Sequence, residues 1–120
     1  MRPTIDRTAF GSITIAGERF EHDVLIRRDG RVEKRKKQLS KAVYGTSHVL
    51  SLDEARHVRE KGAACLIVGT GHYDNVRLSG EAEAYLARKR CRVRLLPTPE
   101  AIRAWNDAEG AVIGLFHVTC

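Results

Sequence analysis

Aromatic residues are scarce: three Phe, three Tyr and one Trp in 120 residues. None lies between residues 27 and 41, the most basic stretch of the chain. That stretch therefore lacks the stacking platforms on which single-stranded nucleic acids bind. Cysteine is scarce too. Cys65, Cys91 and Cys120 are odd in number and form no C-x-x-C pair, which argues against a disulfide framework and for a reducing compartment. No window approaches the roughly 18 consecutive apolar residues of a membrane span. The opening Met1-Arg2-Pro3-Thr4-Ile5-Asp6 has no apolar h-region, so a cytoplasmic protein is expected. No G-x-x-x-x-G-K-[ST] occurs, which removes a P-loop. Gly69-Thr70-Gly71 is followed by His72, Tyr73 and Asp74, so the third glycine of a dinucleotide fingerprint is missing. No cofactor is expected.

What is present suits one α/β domain over residues 1–120. A chain of this length buries roughly two thirds of its unfolded surface and needs no staple. The net charge is +6, and residues 27–41 hold eight basic and two acidic side chains, a local +6. Lys34, Arg35, Lys36 and Lys37 form the centre of this patch. Read as exposed charges, they should be removable without harm to the fold. The patch suits an acidic protein partner, or a solvated edge strand whose lysines discourage edge pairing. Nucleic acid is the less favoured partner, and the sequence does not define an oligomeric state.

Phe20, His22, Val24 and Ile26 alternate along a predicted strand, with Glu21, Asp23, Leu25 and Arg27 on its other face. Asp29-Gly30 then signals a hairpin. Ser51 and Glu54 have capping-box spacing before a helix that runs to about Lys61. Ala64–Val68 reads as a strand buried on both faces. Ser79 caps a second helix, 92–96 is a further strand, and Thr98-Pro99 reads as an N-cap followed by a first-turn proline. A last apolar strand covers 111–118. A helical crossover makes the strands at 64–68 and 92–96 parallel. The bend at Gly69–Gly71 and the corner at Pro97-Thr98 then share one sheet edge, where open α/β sheets bind ligands. Two readings of that bend stay open. The glycines supply positive φ for the turn, or the loop cradles a small ligand.

Catalytic constellations are thin. Ser47 lacks the final glycine of a nucleophile elbow, because Val49 stands there. A set such as Cys120–His48–Asp23 can be written, but the sequence carries no geometry for it. His117-x-x-Cys120 is the one close pair of metal-ligand type, and no metal is expected from it. His22 and His117 read as core histidines.

Several of these pieces occur together in one family. The Phe20–Ile26 stretch with Asp23 and the turn at Gly30 comes first. Tyr44-Gly45-Thr46-Ser47-His48, Ile67-Val68-Gly69-Thr70-Gly71, Pro97-Thr98 with Glu100-Ala101 and Asn106, and Phe116-His117-Val118-Thr119-Cys120 follow in order. Together they resemble the Mth938-domain family over nearly the whole chain. The resemblance implies a central mixed sheet flanked by helices, with a small N-terminal β layer. Eukaryotic relatives include a mitochondrial complex I assembly factor and an adipogenesis-associated protein, while bacterial and archaeal members are largely uncharacterised. The leading expectation is a non-catalytic, protein-binding or assembly-type module. The alternative is a small-ligand binder or enzyme at the sheet edge near Gly69–Gly71 and His48. No catalytic residue carries over. Asp23, Gly45, Thr46, His48, Gly69, Gly71, Thr98 and His117 are nominated only as a shared crevice.

Overall fold

A computed structural model describes residues 2–120. The elements run β1 (Ile5–Ala9), β2 (Ser12–Ile15), β3 (Glu18–Phe20), β4 (Val24–Ile26), β5 (Val32–Lys34), α1 (Gln38–Tyr44), β6 (Val49–Leu50), α2 (Leu52–Val58), β7 (Cys65–Thr70), β8 (Arg77–Leu78), α3 (Gly80–Arg88), β9 (Arg92–Leu96), α4 (Thr98–Asp107) and β10 (Val112–His117). Five strands form the central sheet in the order β5-β4-β10-β7-β9. β10 is parallel to β7 and antiparallel to β4, and β7 is parallel to β9. The sheet is therefore mixed, with helices on its faces and the antiparallel layer β1-β2-β3 beside it.

The two central strands are apolar on both faces because both faces are covered. Leu66 and Val68 join one core with Leu50, Val58, Leu86, Ile113 and Leu115, under α2 and α3. Ile67 joins the other with Ile5, Ile13, Ile15, Trp105 and Phe116, under α4 and the N-terminal layer. Trp105 stands edge-on to Phe116 at 5.9 Å. Gly114 lies beneath them, and a Cβ there would come within 2.5 Å of the Phe116 ring and 3.0 Å of Trp105.

Several expectations are corrected by the structure. The strand expected from residue 20 to 26 is broken at Glu21, His22 and Asp23 into β3 and β4, which belong to different sheets. His22 is consequently half-buried outside any strand, not a core residue, and its Nδ1 lies 2.9 Å from the Asp23 carbonyl. The helix from Ser51 stops at Val58, not Lys61. Ser51 does cap it, accepting the Glu54 N–H at 3.1 Å. The return half of the capping box is absent, because Ser40 Oγ takes the Ser51 N–H and the Glu54 carboxylate turns to Arg35. Thr98 is the first residue of α4 and its side chain does not cap it.

The largest correction concerns the basic patch. Lys34, Lys36 and Lys37 are exposed, but Arg35 is only 4% exposed. A long run of charge does not mark every member as solvated; the guanidinium fork reaches two carboxylates at once, which lysine does not.

Ser79 caps α3 as expected, accepting the Ala82 N–H at 3.1 Å. Ser79→Ala should lower stability by about 1 kcal/mol in chemical denaturation, since one helix-terminal N–H loses its partner in a buried position. An unchanged midpoint would show that the cap is replaced by solvent.

Candidate functional site

The ends of β7, β9 and β10 meet at one edge of the sheet, and the loops beyond them are tied together. Gly71 N–H donates to Thr98 Oγ1 at 2.9 Å, and Thr98 N–H donates back to the Gly71 carbonyl at 3.1 Å. The Thr98 hydroxyl donates to the His117 carbonyl at 2.6 Å. The bend and the Pro-Thr corner are thus direct neighbours, through a threonine used for inter-loop bonding instead of helix capping.

Gly69 lies inside β7 and does not have the positive φ expected of it, so only Gly71 supplies the turn, but both glycines are set by crowding. A Cβ on Gly69 would stand 2.9 Å from Thr98 Oγ1 and 3.0 Å from the Phe116 ring. Gly71 has φ +100°, and a Cβ there would stand 2.5 Å from the Cys120 carbonyl carbon. Residues 118–120 lie across this edge, held by Gly11 N–H on Val118 O and His72 N–H on Thr119 O, both 2.7 Å. The glycines serve close packing of the chain against itself.

Beneath this edge runs a buried polar chain. Arg35 donates to both oxygens of Glu54, at 2.7 and 3.0 Å, to Asp23 Oδ2 at 2.9 Å and to the Ser47 carbonyl at 2.8 Å. Ser40 Oγ donates to Glu54 Oε1 at 2.5 Å. Asp23 Oδ2 also accepts His117 Nδ1 at 2.8 Å, and Oδ1 accepts the Val118 N–H at 2.9 Å. Burial pushes the Asp23 carboxyl up, but the bond to and charge of His117, the Val118 amide and Arg35 outweigh it and hold it below the ordinary range.

With Nδ1–H directed at Asp23, His117 presents its Nε2 to the other side, 3.2 Å from Thr119 Oγ1. The tautomer is inferred from this network. His48 packs edge-on to His117 at 5.3 Å, and its Nε2 lies 3.8 Å from Cys120 Sγ. Desolvation first, then electrostatic repulsion from neighbouring His117 and Arg35, lower the His48 pKa and favour neutral imidazole. His48, His117 and Cys120 offer ligand atoms that all lie within 4.8 Å of one another, so these three could hold a metal ion.

Of the eight nominated crevice residues, the structure brings together Asp23, His48, Gly69, Gly71, Thr98 and His117. Gly45 closes α1 with φ 71°, and nothing lies within 4 Å of where its Cβ would stand. Thr46 accepts the His48 N–H at 3.1 Å and shapes the turn alone. The imagined order Cys120–His48–Asp23 is also altered: His48 contacts the thiol, but it is His117 that contacts Asp23.

A second feature escaped sequence reasoning. β9 is a free edge of the sheet, and beside it α3 leaves a groove of about 480 Å³. Leu78, Ala87, Cys91, Val93 and Leu95 line it together with Arg90, Arg92 and one acid, Glu83. The signal was the run Arg88-Lys89-Arg90-Cys91-Arg92-Val93-Arg94, five basic residues in seven with no acid, overshadowed by residues 27–41.

The sequence model described as "Protein of unknown function (DUF498/DUF598)" matches residues 5–114. The chain belongs to the DUF498/DUF598 family. Among solved structures, the conserved hypothetical protein PH1505 from Pyrococcus horikoshii OT3 is 33% identical with a TM-score of 0.88, covering 98% of this chain and 99% of that one. The protein MT938 is 31% identical with a TM-score of 0.82, over 98% and 99% of the two chains. A Bordetella pertussis protein described as a Mth938-like domain shares the fold at 21% identity and a TM-score of 0.65, over 97% and 85%. The Mth938-like architecture implied by the resemblance is thus the fold of this DUF498/DUF598 member. Among its described residues no helix is long and apolar enough to cross a membrane.

Proposed function

We propose that this DUF498/DUF598 protein is a non-catalytic, assembly-type binding module whose partner adds an extended acidic segment to the free edge of β9. The observation that carries the reading is the coincidence of an unpaired strand edge, an apolar groove and a basic run at one place. Arg92 N–H donates to Ala64 O, toward the β7 side. By the two-residue period of a strand, Arg94 points the same way, and Val93 and Leu95 turn their N–H and C=O groups outward. Those outward groups are an available ladder for a further strand. Leu95 is 41% exposed beside them, an apolar surface for alternate side chains of the incoming segment. Arg88, Lys89, Arg90, Arg92 and Arg94 are all exposed and select for acid.

The opposite edge fits this role less well. β5 has only three residues, it carries Lys34, and the chain turns at once into the buried Arg35. The polar atoms at the Gly71–Thr98 edge are satisfied by each other, which favours a structural use of that region over catalysis. Three free thiols, Cys65, Cys91 and Cys120, support a cytoplasmic setting.

The test is capture from a lysate of the native host, with and without nuclease treatment, comparing Leu95→Asp, the pair Arg92→Glu and Arg94→Glu, and the triple Lys34→Gln, Lys36→Gln, Lys37→Gln. The first two should lose a partner that the third retains. A partner set unchanged by the β9 variants, or lost with the lysines, would overturn the reading. Capture that disappears on nuclease treatment would assign the basic run to nucleic acid instead.

A further inference from the structure

We propose that His48, His117 and Cys120 form a binding site for a thiophilic divalent ion of the zinc class. The side chains come from two places far apart in sequence: His48 from the turn after α1, and the close pair His117 and Cys120 from the end of β10 and the segment that follows it. Their ligand atoms nevertheless lie within 4.8 Å of one another. Tetrahedral zinc with Zn–N and Zn–S bonds of ordinary length separates N from S by about 3.6 Å and N from N by about 3.3 Å. The His48 Nε2 to Cys120 Sγ distance of 3.8 Å already approaches the first value. The His117 ligand atom lies within 4.8 Å of both others. His48 and Cys120 are half-buried, which leaves an approach for the ion and a fourth position for water.

The surroundings of His117 make the cluster more than a chance meeting. A metal-bound histidine characteristically donates its other ring N–H to a carboxylate, which fixes the tautomer and raises the basicity of the ligating nitrogen. Asp23 fills that role at 2.8 Å, and it is itself held by Arg35 and the Val118 amide. The nitrogen left free of Asp23 is Nε2. Its present neighbour, the Thr119 hydroxyl at 3.2 Å, is an exchangeable partner that an ion would replace. The donor set of two imidazoles and one thiolate favours zinc-type ions over calcium or magnesium, which select oxygen. A bound ion would fasten the 46–48 turn to residues 117–120.

Chelator-treated protein should be titrated with Co²⁺ as an optical probe. One equivalent should produce a thiolate-to-cobalt charge-transfer band together with the visible bands of a four-coordinate ion, and Zn²⁺ should abolish both. Cys120→Ser should remove the charge-transfer band. His48→Ala should weaken cobalt binding by more than the roughly 10-fold that loss of even an outer partner costs. Cys65→Ser should leave the spectrum unchanged, which distinguishes this thiol from the others. Absence of a band in the wild-type protein, or its persistence in Cys120→Ser, would overturn the proposal, and the first of these requires no variant to fold.

Discussion

Arg35→Met is expected to destabilise the protein by about 3–5 kcal/mol, the range for removing one partner of a buried ion pair. Arg35 and Glu54 are 1% and 0% exposed in their side chains, and Asp23 is 8% exposed. Methionine fills much of the volume but offers no N–H group. Asp23 would keep His117 and the Val118 amide. Glu54 would keep only Ser40 on its side chain. The Ser47 carbonyl would lose its guanidinium donor. The penalty arises from leaving charge without a counter-charge away from water, not from the intrinsic worth of the pair. For a chain of this size the melting temperature should fall by about 10–20 °C. The contrast is with the flanking lysines: Lys34→Gln, Lys36→Gln and Lys37→Gln should each change stability by no more than about 0.5 kcal/mol. Equal effects from Arg35 and from Lys36 in denaturant titrations would contradict the buried network.

Gly71→Ala carries the second large effect, expected at about 2–5 kcal/mol from the sum of two costs. The first is backbone: φ +100° is a conformation that L side chains rarely adopt. The second is space. The added methyl would meet the Cys120 carbonyl carbon at 2.5 Å, its oxygen at 2.6 Å and the His117 ring at 2.8 Å. Two of those atoms are backbone and not the far end of a flexible side chain. Relief requires residues 118–120 to lift from the sheet edge, so the substitution should also raise amide exchange at His72, whose N–H is bonded to Thr119 O. Gly11→Ala provides the control. It shares positive φ at +91° but has nothing within 4 Å of the Cβ position, so it should cost only the backbone part. Equal losses at the two positions would show that packing over Gly71 contributes nothing.

These two residues also show what sequence reading reaches. The Gly69–Gly71 bend and the Thr98 corner were legible as neighbours because parallel strands joined by a helix must end at the same edge. The two-faced burial of β7 was legible from its unbroken apolar run, and the start of α3 from Ser79. Arg35 was not legible. Its partners Asp23 and Glu54 lie 12 and 19 residues away, and no local pattern separates one buried arginine from three exposed lysines beside it. The break between β3 and β4 was hidden for a related reason. Phe20, Val24 and Ile26 do face one core, so the alternation is real, but the chain changes sheets between them. β6 and β8 have two residues each, and their pairing is a long-range event with no periodicity to display it. In the candidate site, the separate residues were visible, but the handover from Asp23 to His117 and from His48 to Cys120 required coordinates.

The reading of the molecule as a binding module rests on the outer rim of β9. Amide hydrogen exchange on the protein with and without its captured partner tests this most directly. The outward amides of Val93 and Leu95 should slow markedly on binding, while Arg92, already bonded to Ala64 O, should change little. Slowing confined to residues 45–48 and 117–120, with β9 unaffected, would place the partner at the other edge of the sheet and contradict the account.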